Sequence, residues 1–156
     1  MHTELENLSR NLYSLRSELL EPVIGINSAY KLLITKAPET ANEALNHIGS
    51  ISENILSEIH PFPYRAIDLQ SPDNAVNQLS SLANKWEKDI EKLSLQVKNV
   101  QNMESQFEDA HKVLVKIIYN KLEKFQGYIH FMKLIKTKHL TQDDGFAEIL
   151  NIDNPK

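Results

Sequence analysis

Apolar residues recur along the first stretch of the chain at Leu5, Leu8, Leu12, Leu15, Leu19, Pro22, Ile26, Ala29 and Leu33, in alternating steps of three and four. That spacing places them on one stripe of an α-helix, and such a stripe has to be covered by partner helices. It predicts a first helix over about 3–34. Pro22 falls on the stripe itself. Inside a helix it removes a hydrogen bond and kinks the rod, and Gly25 loosens the same stretch. A short connection follows at 35–39. Pro38 suits a first helical turn and Glu39 the positive end of the helix dipole, so a second helix is expected over about 38–59. Its stripe is Ala41, Ala44 with Leu45, Ile48, Ile51, Ile55 and Ile59. So short a link makes the pair an antiparallel hairpin.

The run His60-Pro61-Phe62-Pro63-Tyr64 stops the second helix, and a loop extends to about residue 70. Ser71, Pro72 and Asp73 then supply an N-cap, a proline at the first helical position and an acid in the first turn. The third helix carries Val76, Leu79, Ala83, Trp86, Ile90, Leu93, Val97 and Val100 on a second three–four stripe. The rhythm slips at 99–105 and resumes as Phe107, Leu114, Ile118, Leu122, Phe125, Ile129 and Met132. A turn at the slip, with Asn99 and Asn102 as its breakers, is preferred to one long stuttering helix. The expected fold is therefore all-α: one domain over 1–156, an antiparallel bundle of about four long helices in two hairpins, at 3–60 and 71–140. In the tail after 140, Thr141, Gln142, Asp143 and Asp144 cap a short helix ending near Leu150, and residues 151–156 fray.

Composition narrows the chemistry. Cysteine is absent, which removes disulfides, thiolate metal sites and a thiol nucleophile together. No apolar run reaches membrane-spanning length, and the acidic start lacks the basic and apolar regions of a signal peptide, so a cytoplasmic protein is expected. The net charge of −4 is uneven. Residues 1–72 hold five Lys/Arg against nine Asp/Glu, residues 73–156 hold twelve of each, and 111–139 hold seven Lys against Glu123 alone. That stretch (Lys112, Lys116, Lys121, Lys124, Lys133, Lys136, Lys138) could face nucleic acid or an anionic membrane. An acidic chain favours a solvated bundle face instead.

The first hairpin resembles the dimerisation and phosphotransfer hairpin of sensor histidine kinases. The resemblance lies in residues 17–33, where Glu18, Leu19, Pro22 and the Leu32-Leu33 pair fall in the family's register, and it extends through Pro38-Glu39, Ala44-Leu45, Ile48, Ile51, Ile55-Leu56 and Ile59, covering roughly 8–60. It implies a dimerising scaffold and a kinase or response-regulator partner. Ser17 stands where the family has its phospho-accepting histidine, Leu20 where it has arginine, and Glu21 where it has the Thr or Asn that orients water. A seryl hydroxyl has no near-neutral nitrogen to take the phosphoryl group, so the chemistry is absent at that position. No glycine-rich phosphate loop occurs, and no ATP binding is expected.

Other sites carry less. His130 and Lys133 share a helix face as in the H-x-x-K core of His phosphotransfer domains, although Leu134 occupies the position where that family has glycine. His47 is a second candidate acceptor. His47 with Glu43 and His111 with Glu108 are helix-spaced, but no paired metal set exists, so neither a metal nor a cofactor is expected. Trp86 reads as core. Phe62 and Tyr64, in an apolar loop, are a possible partner contact or a staple for the bundle end. The expected function is non-catalytic: a homodimeric interaction or regulatory bundle resembling a degenerate kinase hairpin. The alternatives are a phosphotransfer protein using His130 or His47, and a bundle adaptor, chaperone or effector outside two-component signalling.

Overall fold

A computed structural model describes residues 3–142 and Phe146. Its elements are α1 (Glu4–Ile34), a 3-10 turn (Glu39–Ala41), α2 (Asn42–Ile59), α3 (Pro72–Asn102), a 3-10 turn (Glu104–Gln106), α4 (Asp109–Leu134) and α5 (Thr137–Thr141). Among the described residues there is no strand, and no helix is long and apolar enough to cross a membrane.

Local chemistry sets the ends. The Thr3 hydroxyl accepts from the Glu6 amide at 3.1 Å and caps α1. Ser71 caps α3 by accepting from the Asn74 amide, with Pro72 at the first turn, as the sequence predicts. Between α3 and α4 the backbone turns at Met103 and becomes extended at Phe107 and Glu108. Phe107 is buried there, so the slip in the apolar rhythm marks a residue that leaves its helix to fill the bundle end.

Side-chain pairs give the topology. Arg16 meets the His60 carbonyl and Asn27 meets Ser52, so α1 and α2 are antiparallel. Glu18 with Tyr128 and Glu21 with Lys121 and Lys124 run α4 antiparallel to α1. Glu58 with Lys85 and His47 beside Gln96 and Asn99 do the same for α2–α3, as Glu87 with Lys133 and Gln101 beside Tyr119 and Leu122 do for α3–α4. The result is a helical bundle in which α1 and α3 each lie between α2 and α4. The α1 stripe from Leu8 to Leu33 and the α3 stripe from Leu79 to Val100 are buried inside it, around the aromatic run Phe62–Trp86–Phe125. At several places the buried position differs from the expected one: Leu5 is exposed at the start of α1, and Val115 rather than Leu114 is buried on α4. Ser52 rather than Ile51 enters the α2 interface, and Ala75 rather than Val76 opens the α3 stripe. In both helices a small side chain takes the most buried position, while Ile51 and Val76 pack against the core from its edge.

Tyr30 of α1 makes a close contact with α2. The outer end of its ring lies against Gly49, where an added Cβ would come within 2.3 Å of the ring. Lys121 lays its stem over Gly25 in a similar but looser contact, where an added Cβ would lie 3.1 Å from the nearest stem carbon.

The second hairpin ends earlier than expected. The chain leaves α4 at Ile135 and Lys136, both extended, and re-enters a helix at Thr137. Thr141 therefore ends α5. Leu140 is buried under α1, and the buried Asn11 donates to the carbonyls of Leu140 at 2.8 Å and Gln142 at 3.2 Å. Asn7 donates to Thr141 at 2.8 Å. These amides satisfy carbonyls that a short helix leaves open at its end. The expected helix to Leu150 and the fraying of 151–156 lie outside the described residues.

Candidate functional site

The kinase-like positions lie on the middle of α1. Ser17 is exposed, and its hydroxyl donates back to the Tyr13 carbonyl at 3.3 Å, a local bond that asks nothing of the rest of the protein. The two acids beside it are committed elsewhere. Glu18 accepts from the Tyr128 hydroxyl at 2.7 Å. Glu21 is shared between Lys121 and Lys124, the second at 3.1 Å. Partial burial pushes the Glu21 carboxyl up, but the two lysines outweigh it and hold the group below the ordinary glutamate value. Burial first, and then the Glu18 carboxylate, push the Tyr128 phenol well above its usual range, so it remains a donor at any ordinary pH. Pro22 is buried on the same helix, which continues through it. Having no N–H, it leaves the Glu18 carbonyl without its helical donor.

His130 is exposed on the rim of a cleft of about 710 Å³ between α3 and α4, lined also by Glu87, Ile90, Glu91, Ser94 and Gly127. Lys133 turns across this cleft and donates to Glu87 at 2.5 Å. The helix-face pairing of His130 with Lys133 is thus interrupted: the ammonium that would steady a phosphate already neutralises a carboxylate. His47 is exposed in a separate depression between α2 and the end of α3, among Thr40, Glu43, Gln96, Asn99 and Asn102. Among the described residues no group of three His, Asp or Glu side chains converges as metal ligands would.

The lysine-rich stretch divides by structure. Lys112 pairs with Asp109, Lys121 and Lys124 with Glu21, and Lys133 with Glu87. These four hold helices together or steady the start of α4, and do not form one continuous basic face.

The second seam of note is α2–α3. Glu58 accepts from Lys85 and from the indole N–H of Trp86 at 3.4 Å. Asp89, one turn further along α3, has an Oδ2 that is buried without a hydrogen-bond partner. Burial, and secondarily the Glu58 charge, hold its carboxyl above the ordinary aspartate value. The central polar pair, Asn27 donating to Ser52 at 3.0 Å and Ser52 to the Gly49 carbonyl at 3.0 Å, is self-contained.

The Pro-rich loop separates its two aromatics. Phe62 is 1% exposed and lies against Trp86 with ring centroids 6.3 Å apart, so it staples the bundle end and is not available to a partner. Tyr64 is 71% exposed and meets Tyr13 edge-on at 5.6 Å. Tyr13, Arg16 and Arg65 around it were not singled out by sequence reasoning. The available signal was compositional: the chain's arginines are Arg10, Arg16 and Arg65, and every later cation is lysine.

Comparison of the chain with protein-family models, with curated proteins and with solved structures found no match.

Proposed function

We propose that this protein is a non-catalytic interaction module: a kinase-like hairpin, bent at Pro22, whose partner hairpin is supplied by the same chain. The observation that carries the reading is the commitment of the α1 surface around Ser17. The serine lacks a phospho-accepting nitrogen, and the acids that would serve such a group are tied to Tyr128, Lys121 and Lys124 on α4. The α1 stripe that led to the expectation of a homodimer is covered by α2 and α4, so burying it needs no second copy. What remains on the outside is a rigid surface suited to a protein partner, with a histidine kinase or response regulator as the first class to test. The phosphotransfer alternative at His130 loses support from the Lys133–Glu87 pair.

The test mixes the chain with a phosphorylated histidine kinase and with a phosphorylated receiver. The expected outcome is micromolar binding to one of them by calorimetry, with no phosphoryl label on the chain. Label on His130 or His47 would establish the phosphotransfer alternative. Absence of binding to either class would remove the signalling assignment. Pro22→Ala tests the bend. Replacing a tolerated helix breaker stabilises an ordinary helix, by up to about 3 kcal/mol. Where the neighbours are packed around a bend, straightening it misplaces Leu15 and Leu19 against Ile26 and Leu33. Stability by urea denaturation is therefore expected to stay unchanged or to fall.

A further inference from the structure

Folding brings two of the three arginines to one corner of the α1–α2 hairpin, beside two tyrosines. Arg16 donates to the His60 carbonyl at 3.2 Å, which seats it at the foot of the loop after α2. One of its five N–H donors is used in that bond. Arg65 is exposed, and its guanidinium has no partner among the described residues. Tyr64, beside Arg65 in the loop, lies edge-on to Tyr13, one turn before Arg16 on α1. A depression of about 390 Å³ runs beside it, lined by Ser57, His60, Pro61, Tyr64 and Arg65, with no carboxylate among them. Glu58, next to Ser57 in the chain, is turned to Lys85 and Trp86 on α3.

This corner is held in shape from beneath. Phe62, Pro63 and Ile67 are buried, and Ile67 donates its amide to the Pro63 carbonyl at 2.9 Å. Tyr64 and Arg65 are therefore presented by an anchored loop, and little conformational freedom is lost when a partner binds. Tyrosine and arginine are the side chains that dominate protein interfaces. The ring offers area with few torsions, and the guanidinium offers paired donors that match a carboxylate.

We infer that this corner docks an acidic segment of a partner protein in which carboxylates alternate with an aromatic or large apolar residue. The carboxylates pair with Arg16 and Arg65, and the apolar side chain lies on the faces of Tyr64 and Tyr13. The charge match is direct: two guanidinium groups, and no carboxylate among the residues that line the depression. A nucleic acid fits less well, because its affinity is built from many phosphate contacts and this corner offers two guanidinium groups. The inference rests on the interaction-module reading and names the chemistry of its partner.

The ¹⁵N-labelled full chain is titrated, by NMR, with a peptide of about a dozen residues alternating Glu and Phe, with the same peptide carrying Lys for Glu, and with an oligothymidylate of similar length. The expected result is a set of shifts centred on Tyr13, Arg16, His60, Tyr64 and Arg65 that the acidic peptide alone saturates. The double variant Arg16→Glu/Arg65→Glu should weaken binding about tenfold or more, and Tyr64→Ala several-fold, with the helical circular dichroism unchanged. Arg16→Lys/Arg65→Lys keeps the charge and should fall between. Shifts centred elsewhere, an equal response to the lysine peptide, or a tighter response to the oligonucleotide would overturn the acidic-segment inference while leaving an interaction role standing. No response to any probe, together with no binding to kinase or receiver, would overturn both.

Discussion

Along the α1–α4 seam one carboxylate, Glu21, meets two lysines; along the α2–α3 seam one lysine, Lys85, meets Glu58, and Asp89 adds a second acid beside it. Both seams are half-exposed, antiparallel and flanked by an aromatic hydrogen-bond donor, Tyr128 in the first and Trp86 in the second. They differ in how the acid is paired, Glu21 by two lysines and Asp89 with a buried oxygen that has no hydrogen-bond partner, and so in what acid does to them. Glu21 is held below its ordinary value, so its contribution is present above that value and lost as pH falls through the lowered one. Asp89 is held above its ordinary value. Its ionised form is penalised by the fold, so stability contributed through it is present below the ordinary aspartate value and lost as pH rises through the raised one. Helix pairing is thus secured by apolar packing in both seams, while the charges only modulate it.

The sharpest way to break the comparison is to remove the aromatic donors. Trp86→Ala takes out the centre of the Phe62–Trp86–Phe125 run as well as the bond to Glu58, and should cost about 3–5 kcal/mol by urea denaturation. The matched change in the other seam, Tyr128→Phe, keeps the ring and removes only the hydroxyl bonded to Glu18. A loss of about 1 kcal/mol is expected. A loss as large as that of Trp86→Ala would mean that the α1–α4 seam depends on its polar bond.

The charge variants should have smaller effects, opposite in sign. Asp89→Asn removes the penalised charge and should raise stability at neutral pH by up to about 1 kcal/mol, solvent screening keeping it below that of a deep site. The gain should disappear in the pH range below the ordinary aspartate value, where Asp89 is protonated anyway. Glu21→Gln should lower stability at neutral pH by a few tenths of a kcal/mol, because the pairs are near the surface. Added salt should shrink this second effect. Thermal melts at a series of pH values check both, and effects of the same sign would erase the distinction between the seams.

Much of the fold was legible because a buried helix face must repeat every three and four residues. Leu8 to Leu33 and Leu79 to Val100 follow that rule without a break, and Ser71 with Pro72 marks a start by local chemistry alone. What was not legible depends on contacts between distant segments. Phe62 and Tyr64 are two residues apart in the same apolar loop, and only the location of Trp86 decides which turns inward. The docking of α5 engages Asn7 and Asn11, which look like ordinary polar positions until α5 arrives beneath them. Ser17 and His130 could be named from spacing. Whether their neighbours were free to act depended on Tyr128, Lys121 and Glu87, which lie 46–110 positions away from the groups they engage.

The seat of Tyr30 on Gly49 has a consequence for register. Apolar stripes that repeat every seven residues are nearly self-similar, so sliding α2 along α1 by two turns would keep most of its greasy contacts. It would also bring Asn42 or Leu56 under the tyrosine ring, and either would drive a side chain into the space that only a bare backbone leaves open. The ring and the glycine therefore work as a key and its notch. Steric fit of this kind is indifferent to ionic strength and acidity, so the alignment of the first hairpin should hold under conditions that loosen every ion pair around it.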